Sequence, residues 1–353
     1  MDFTLSKQDS MVMKGVAICA MLAHHLFCST SFDVSQFSSV TLFLGRVGKV
    51  CLAIFVFLSG YGVAASYNNL LQRNKIVETI VVWIKAIVKR FTHFYLQYWP
   101  VFIIFVPIGV LVFGISLSSR YGESSSNALM LIGDVLGINE YKSYNITWWF
   151  NRLILVLYLL SPFLFLGIRN KWICLPILIV LFYLSLHSYK IHVNCDGLTL
   201  YAISFGIGMA WSCHNGVLNA CFSKIPRWMI LSLSIVGIVC SCILREKGYF
   251  GFRGQKADLL LTLCLVVFAL SLRQYEFVRK PLSFLGKHST NIYLTHTFIC
   301  SYWFMPFVFC SQIAPIIFVT LLTVCIILSL CLEWIKDKAG LYKLQRKIDN
   351  YLS

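Results

Sequence analysis

Apolar residues run through this chain in long blocks, not in the short alternations of a soluble fold. The blocks cover roughly 12–28, 50–67, 92–115, 148–168, 171–188, 197–213, 227–244, 257–273, 288–310 and 313–334. A bilayer core about 30 Å thick takes about 20 mostly apolar residues per helix. The pattern therefore predicts an all-α, polytopic membrane helix bundle of about ten transmembrane helices. The first block follows Lys7 and Lys14 as a signal peptide would, but no A-x-A site comes after it and nine more blocks do, so it is expected to stay as the first helix. No repeat, low-complexity tract or Pro/Gly/Ser-rich linker interrupts the chain, which predicts a single domain over 1–353.

Composition supports this reading. Charged residues make up 12% of the chain and hydrophobic ones 58%, with a mean hydropathy of +0.77. A soluble globular domain carries about 25% charged residues, so lipid is the expected solvent. The net charge of +16 would suggest nucleic acid as partner in a soluble protein. Here the basic residues stand in short clusters between apolar blocks, so the charge reads as topology and no nucleic acid partner is expected. With the N-terminus inside, 20 of the 30 Lys and Arg fall in cytoplasmic segments, which predicts cytoplasmic N- and C-termini and an even number of spans. The mixed apolar and basic segment from Arg73 to Arg90 predicts an amphipathic helix on the inner surface. The longest outer loop, about 116–147, is the expected lid or acceptor-binding element.

Most of the 14 Cys lie inside apolar blocks and none forms a C-x-x-C pair. They are expected to be small buried apolar residues, with no metal site. Cys28, Cys195 and Cys310 fall near outer ends, where a pairing among them stays open.

Ionisable residues inside a span are costly and point to function. Lys14 and His25 are eleven residues apart, three helical turns plus about 20°, so they share a face about 16 Å apart along the axis. His24 points about 100° away and is expected to be structural. The ninth block repeats the theme: Lys287 at its inner edge, then Ser289, Tyr293 and His296 at i, i+4 and i+7 on one stripe. Two helices thus each carry a cation at the inner edge and a histidine at mid-depth. Between them lies Phe57-Leu58-Ser59-Gly60-Tyr61-Gly62, which reads as a helix-packing motif as readily as a site. Trp148-Trp149-Phe150-Asn151-Arg152 opens the fourth block; an interfacial aromatic belt accounts for the tryptophans, and an inward-facing Arg152 would be the unusual member.

Taken together these residues resemble the acyltransferase-3 family of integral membrane acyltransferases, which modify cell-surface glycans. Lys14-Gly15-Val16-Ala17 through His25 is similar to the family's R-G-x-A…H element, and Phe55 to Tyr61 to its F-F-x-x-S-G-Y signature. Lys89 to Trp99 is similar to K-R-x-x-R-I-Y-P-x-Y-W, Trp149-Phe150 with Tyr158 and Pro162 to W-F-L…Y…P, and Leu285-Gly286 to His296 to L-G-x-x-S-x-x-I-Y-L-x-H. The departures are Lys14 for Arg, His93 for a second Arg, Leu96 for Pro and Asn151 for Leu. The chain runs only to Ser353 past the tenth block, so no fused hydrolase-like domain is expected.

The resemblance implies transfer of an acyl group, usually acetyl, from acyl-coenzyme A to a hydroxyl of an exported polysaccharide or lipopolysaccharide, in a bacterial inner membrane. It assigns His25 and His296 to catalysis, with Ser59 as the hydroxyl available for an acyl relay. Lys14, Lys89 and Arg90 fall to the donor phosphates, and Tyr61, Trp149, Arg152 and Tyr293 to substrate. No G-x-S-x-G elbow supports a relay at Ser59. The competing readings are a transporter or flippase for a lipid-linked sugar, and a regulatory subunit with a decayed site. Oligomeric state is left open.

Overall fold

A computed structural model describes residues 2–73, 79–122, 127–140, 142–188, 196–248 and 254–352. Among them the chain is all helical. In order the helices are α1 (Lys7–Phe27), α2 (Ser39–Val47), α3 (Cys51–Arg73), α4 (Thr79–Leu111), α5 (Leu117–Tyr121), α6 (Asn127–Val135), α7 (Trp149–Arg169), α8 (Lys171–Leu186) and α9 (Asp196–Cys213). There follow α10 (Asn215–Phe222), α11 (Arg227–Lys247), α12 (Asp258–Ser271), α13 (Glu276–Lys287), α14 (Ser289–Thr297), α15 (Met305–Phe309), α16 (Ala314–Lys338) and α17 (Leu341–Leu352).

Among the described residues six stretches are long and apolar enough to cross a bilayer: Lys7–Phe27, Ser39–Leu71, Trp83–Leu111, Ile146–Arg169, Arg227–Lys247 and Ala314–Lys338. Their outer faces hold large apolar residues in the open, such as Leu111 at 83% and Phe163 at 76% exposure, a pattern that suits lipid and not water. Three further blocks form shorter apolar helices, α8, α9 and α12. The ninth block is not one helix. It is split into α14, a π-helical turn over Phe298–Trp303, and α15, which opens with Pro306 in its first turn. Proline cannot donate the backbone bond that a continuous helix needs there. Lys287 and His296 therefore stand on successive helices, with His288 at the junction.

The amphipathic segment ending at Arg90 proves continuous with the third span. From Thr79 onward it is the start of α4, with Ile80, Val81, Ile84 and Val88 exposed. Residues 74–78 lie outside the described set.

The chain divides into two compact units. The first comprises Met1–His24, Leu42–Thr79 and Leu160–Lys287. Glycines set its packing: a methyl group on Gly60 would lie 2.1 Å from the Phe205 carbonyl oxygen, and one on Gly208 2.1 Å from that of Phe57. α3 and α9 are thus in backbone contact, as small residues allow in membranes. Gly15 and Gly286 do the same for α1 and α13, against Leu282 and Met11. α1 starts with a reciprocal cap, in which the Ser6 amide donates to Asp9 Oδ2 (2.9 Å) and the Asp9 amide to Ser6 Oγ (3.1 Å). Arg273 and Arg279 both grip the buried Asp9 carboxylate, at 2.6 and 2.9 Å. The buried pair Arg245–Asp258, at 2.8 Å, joins α11 to α12.

The second unit comprises His25–Thr41, Ile80–Leu159 and His288–Ser353. Its core is aromatic: Tyr98, Phe102, Phe105, Tyr121, Tyr144, Trp148 and Phe298 are all buried together. Beside that core the Asp134 carboxylate accepts from Tyr121 Oη (2.7 Å), Asn139 Nδ2 (2.8 Å), Ser143 Oγ (2.7 Å) and the Tyr144 amide (2.6 Å). Burial nonetheless pushes its pKa above the ordinary value.

Cysteine environments are more varied than expected. Cys51, Cys174, Cys300 and Cys325 are buried, but Cys240 and Cys331, both within apolar blocks, are exposed on span faces. Cys28 and Cys310 are free thiols, and Cys195 lies outside the described residues.

Candidate active site

His25 and His296 meet in the second unit. Their ring centroids are 4.7 Å apart and the rings are inclined at 60°. His296 is fully buried. Its Nδ1 faces the carbonyl oxygens of Ile292 (3.1 Å) and Tyr293 (2.9 Å). A carbonyl only accepts, so Nδ1 carries the hydrogen and, in the neutral ring, Nε2 carries the lone pair. The helix carrying His296 thereby selects its own tautomer.

Around this pair α14 is held by polar contacts on both flanks. Tyr293 Oη donates to the Thr147 carbonyl (2.8 Å) and contacts Asn151 Oδ1 (3.2 Å). The buried Asn145 Oδ1 accepts from the Thr147 amide and hydroxyl and from Thr297 Oγ1 (2.9 Å), while Trp148 Nε1 reaches the Leu294 carbonyl. On the other flank Asn291 donates to Ser329 Oγ (3.0 Å) and Glu333 Oε1 (2.8 Å) and accepts from Lys336 Nζ (2.6 Å). Lys336 is completely buried, with a second acceptor in Gln97 Oε1 at 2.5 Å. The charge pattern counts Lys336 among the cytoplasmic basic residues; in the fold it is part of the core packed against α14.

The other anticipated residues fall as follows. Arg152 pairs with Glu140, on α7 and the preceding loop, and Trp149 is half-buried beside Phe150. Lys89 bridges to Asp349 of α17 at 3.2 Å, together with His93 at 2.7 Å. Arg90 stands 5.4 Å from the Tyr158 ring centroid. Lys14, Ser59 and Tyr61 belong to the first unit. Lys14 is half-buried, with no hydrogen-bond or ion-pair partner among the described residues. The Tyr61 hydroxyl is engaged by the backbone of Leu5, accepting its amide at 2.9 Å and facing its carbonyl at 3.3 Å. Ser59 precedes the tightly packed Gly60. His24 donates from Nδ1 to the Gly45 carbonyl at 2.9 Å, the structural role its helical position implies. Among the described residues no group of three or more His, Cys, Asp or Glu is placed to hold a metal.

Sequence inspection misses Asn145, Asn291 and Lys336. Asn291 carries a weak signal, as an amide in an apolar block, and Asn145, in the polar loop before the fourth block, carries none. Lys336 carries a stronger one, since it continues the buried stripe Cys325, Ser329, Leu332 at helical spacing.

Six apolar stretches of spanning length among the described residues, and a histidine pair with one ring fully and the other half buried, describe an integral membrane protein with a polar centre. The family model of an acyltransferase domain, Acyl_transf_3, matches residues 10–334, nearly the whole chain; the chain belongs to the acyltransferase-3 family and is a membrane acyltransferase. No curated protein and no solved structure matches it.

Proposed function

We propose that this enzyme transfers an acyl group, acetyl in the simplest case, from acyl-coenzyme A to a hydroxyl of an exported polysaccharide or lipopolysaccharide at a bacterial inner membrane. The observation that carries the reading is the contact between His25 and His296, two residues from distant parts of the sequence, in which the half-buried His25 ring lies against the fully buried ring of His296. A neutral imidazole with a fixed tautomer is a general base for a hydroxyl. His296, held through Nδ1, would present Nε2 to the acceptor proton, while the His25 ring beside it orients the hydroxyl or receives the proton in turn.

Acyl-coenzyme A supplies an activated thioester carbonyl and three phosphate groups. Lys14 fits a phosphate, because it is a half-buried cation with no anion bound to it among the described residues. Lys89 and Arg90 are half-exposed in the first half of α4, where Lys89 would exchange Asp349 for a stronger anion. Tyr293 and Asn151 line the flank of α14 that carries His296. Trp149 and Arg152 open α7, and Tyr61 borders the strap formed by residues 2–6. Ser59 fits helix packing better than an acyl relay, so direct transfer is the simpler course. The 20-to-10 division of Lys and Arg supports cytoplasmic termini, an even number of passages that reaches ten when α8, α9, α12 and the broken α14–α15 stretch join the six long spans, and donor and acceptor arriving from opposite faces.

Sidedness tests the reading. Sealed inside-out vesicles should consume labelled acetyl-coenzyme A and label the glycan, and right-side-out vesicles should not. Consumption by the right-side-out preparation alone would reverse the topology.

A further inference from the structure

Arg120, at the end of α5 in the second unit, is a cation with no counter-charge among the described residues. Its guanidinium carbon lies 3.8 Å from the centroid of the Tyr302 ring, a stacked cation–π geometry. Among the described residues it makes no ion pair and no hydrogen bond, and its Nε is shielded from solvent without an acceptor. A ring face attracts the charge but does not accept the in-plane N–H groups, so the fork of the guanidinium stays chemically open.

The group is held rigidly on both sides. The adjoining Tyr121 is buried and its hydroxyl is bound to Asp134 at 2.7 Å. Ser116 caps α5 by accepting the Ser119 amide. On the other side the Tyr302 hydroxyl accepts the Ile146 amide at 3.1 Å, which fixes the ring. Tyr302 sits in the π-helical turn Phe298–Trp303 that directly continues the helix of His296. Such turns are frequent at functional sites. The next residue, Trp303, also keeps a buried Nε1–H without an acceptor.

Its place along α4 separates this group from the donor side. α4 carries Lys89 and Arg90 near its start and ends at Leu111, about 30 Å further on at 1.5 Å per residue. Arg120 follows that far end.

We propose that Arg120 anchors an oxyanion-binding site, receiving a carboxylate or phosphate carried by the acceptor, so that the preferred acceptor is an acidic glycan. This rests on the acyl-transfer reading above for the word acceptor, but not for the site itself. The planar fork suits two oxygens at once; lysine would keep the charge and lose both the fork and the stack.

The test uses the full-length protein in dodecyl maltoside, a detergent with neither carboxylate nor phosphate. Phenylglyoxal labelling of Arg120 is followed by mass spectrometry, and melting temperature in parallel, during titration with glucuronate, inorganic phosphate, glucose, coenzyme A or phosphatidylglycerol at constant ionic strength. Glucuronate or phosphate should slow labelling saturably, by about tenfold at ten times the midpoint concentration as simple occupancy requires, and glucose should not. The accompanying rise in melting temperature should vanish in Arg120→Gln and be largely lost in Arg120→Lys. Wild-type labelling decides the matter even if a variant fails to fold. Protection by no anion overturns the site. Protection by phosphatidylglycerol alone assigns the cation to a lipid headgroup, and protection by coenzyme A alone assigns it to the donor; either overturns the proposal. Saturable glucuronate protection in a protein that transfers no label from acetyl-coenzyme A would leave the oxyanion site standing and remove the acyl-transfer reading instead.

Discussion

His25 and His296 are separated by most of the sequence, yet their rings lie 4.7 Å apart. One is on the last turns of α1, the other on a nine-residue helix, α14, that ends in a π-helical turn. A packing role needs no such arrangement, because an apolar side chain would fill the same space without a desolvated imidazole. The backbone carbonyls of Ile292 and Tyr293 fix which nitrogen of His296 holds the hydrogen, and a base needs that choice made in advance.

Lys14→Ala should raise the KM for acetyl-coenzyme A by about 10- to 100-fold with little change in kcat, since a charge-assisted phosphate contact contributes about 1.5–3 kcal/mol. Lys14→Arg should keep the wild-type KM. Steady-state kinetics in reconstituted vesicles decide it; an unchanged KM in the alanine variant removes Lys14 from the donor site.

The two glycines of Ser59-Gly60-Tyr61-Gly62 should respond differently. Gly60→Ala forces a methyl group into the Phe205 carbonyl and should cost about 1–3 kcal/mol of stability. Gly62→Ala meets nothing within 4 Å and should be silent. Melting temperatures in the same detergent compare them directly, and equal losses would mean that α3 and α9 are not in backbone contact.

Sequence showed the apolar blocks and the histidine stripes because each is a local periodicity. It did not show the break after Thr297, where Phe298–Trp303 are apolar enough to continue a helix and only Pro306 hints otherwise. Nor did charge counting separate Lys336 from Lys338. Two residues apart on α16, they face opposite sides: one is buried under Asn291 and Gln97, the other exposed. That difference is visible only when the stripe Cys325, Ser329, Leu332 is followed to its end. Arg120 gave no sequence signal, since its stack on Tyr302 joins segments remote in the chain.

Lys336→Met should lower stability by about 1–3 kcal/mol, the cost of leaving the buried Asn291 acceptor and the half-buried Gln97 acceptor without a donor. Lys336→Met combined with Asn291→Leu should lose less than the sum of the two single changes, because the partners disappear together. Strict additivity in a thermal denaturation cycle would show that the two side chains do not interact.

The docking of α17 on α4 should depend on acid. Burial works to raise the Asp349 pKa, but hydrogen bonds and charge from His93 and Lys89 outweigh it and hold the carboxyl below its ordinary value of 3.8. A depressed folded-state pKa stabilises above the unfolded value and ceases to do so as pH falls through the folded one. Contact between α17 and α4 should thus loosen below about pH 4, the pair contributing under about 1 kcal/mol because it is partly exposed. A spin label at Tyr351→Cys should report the loosening, and Asp349→Asn should show it already at pH 7. Identical label mobility in all these conditions would remove Asp349 as the tether.

The central claim is that acyl transfer runs through the histidine pair. Inside-out vesicles carrying wild type, His24→Ala, His25→Ala or His296→Ala at matched protein levels are given labelled acetyl-coenzyme A, and label in the glycan is measured. Removing a general base costs about 100- to 10,000-fold, so His25→Ala and His296→Ala should fall to that extent while His24→Ala stays near wild type. Wild-type labelling by His25→Ala and His296→Ala would contradict the account.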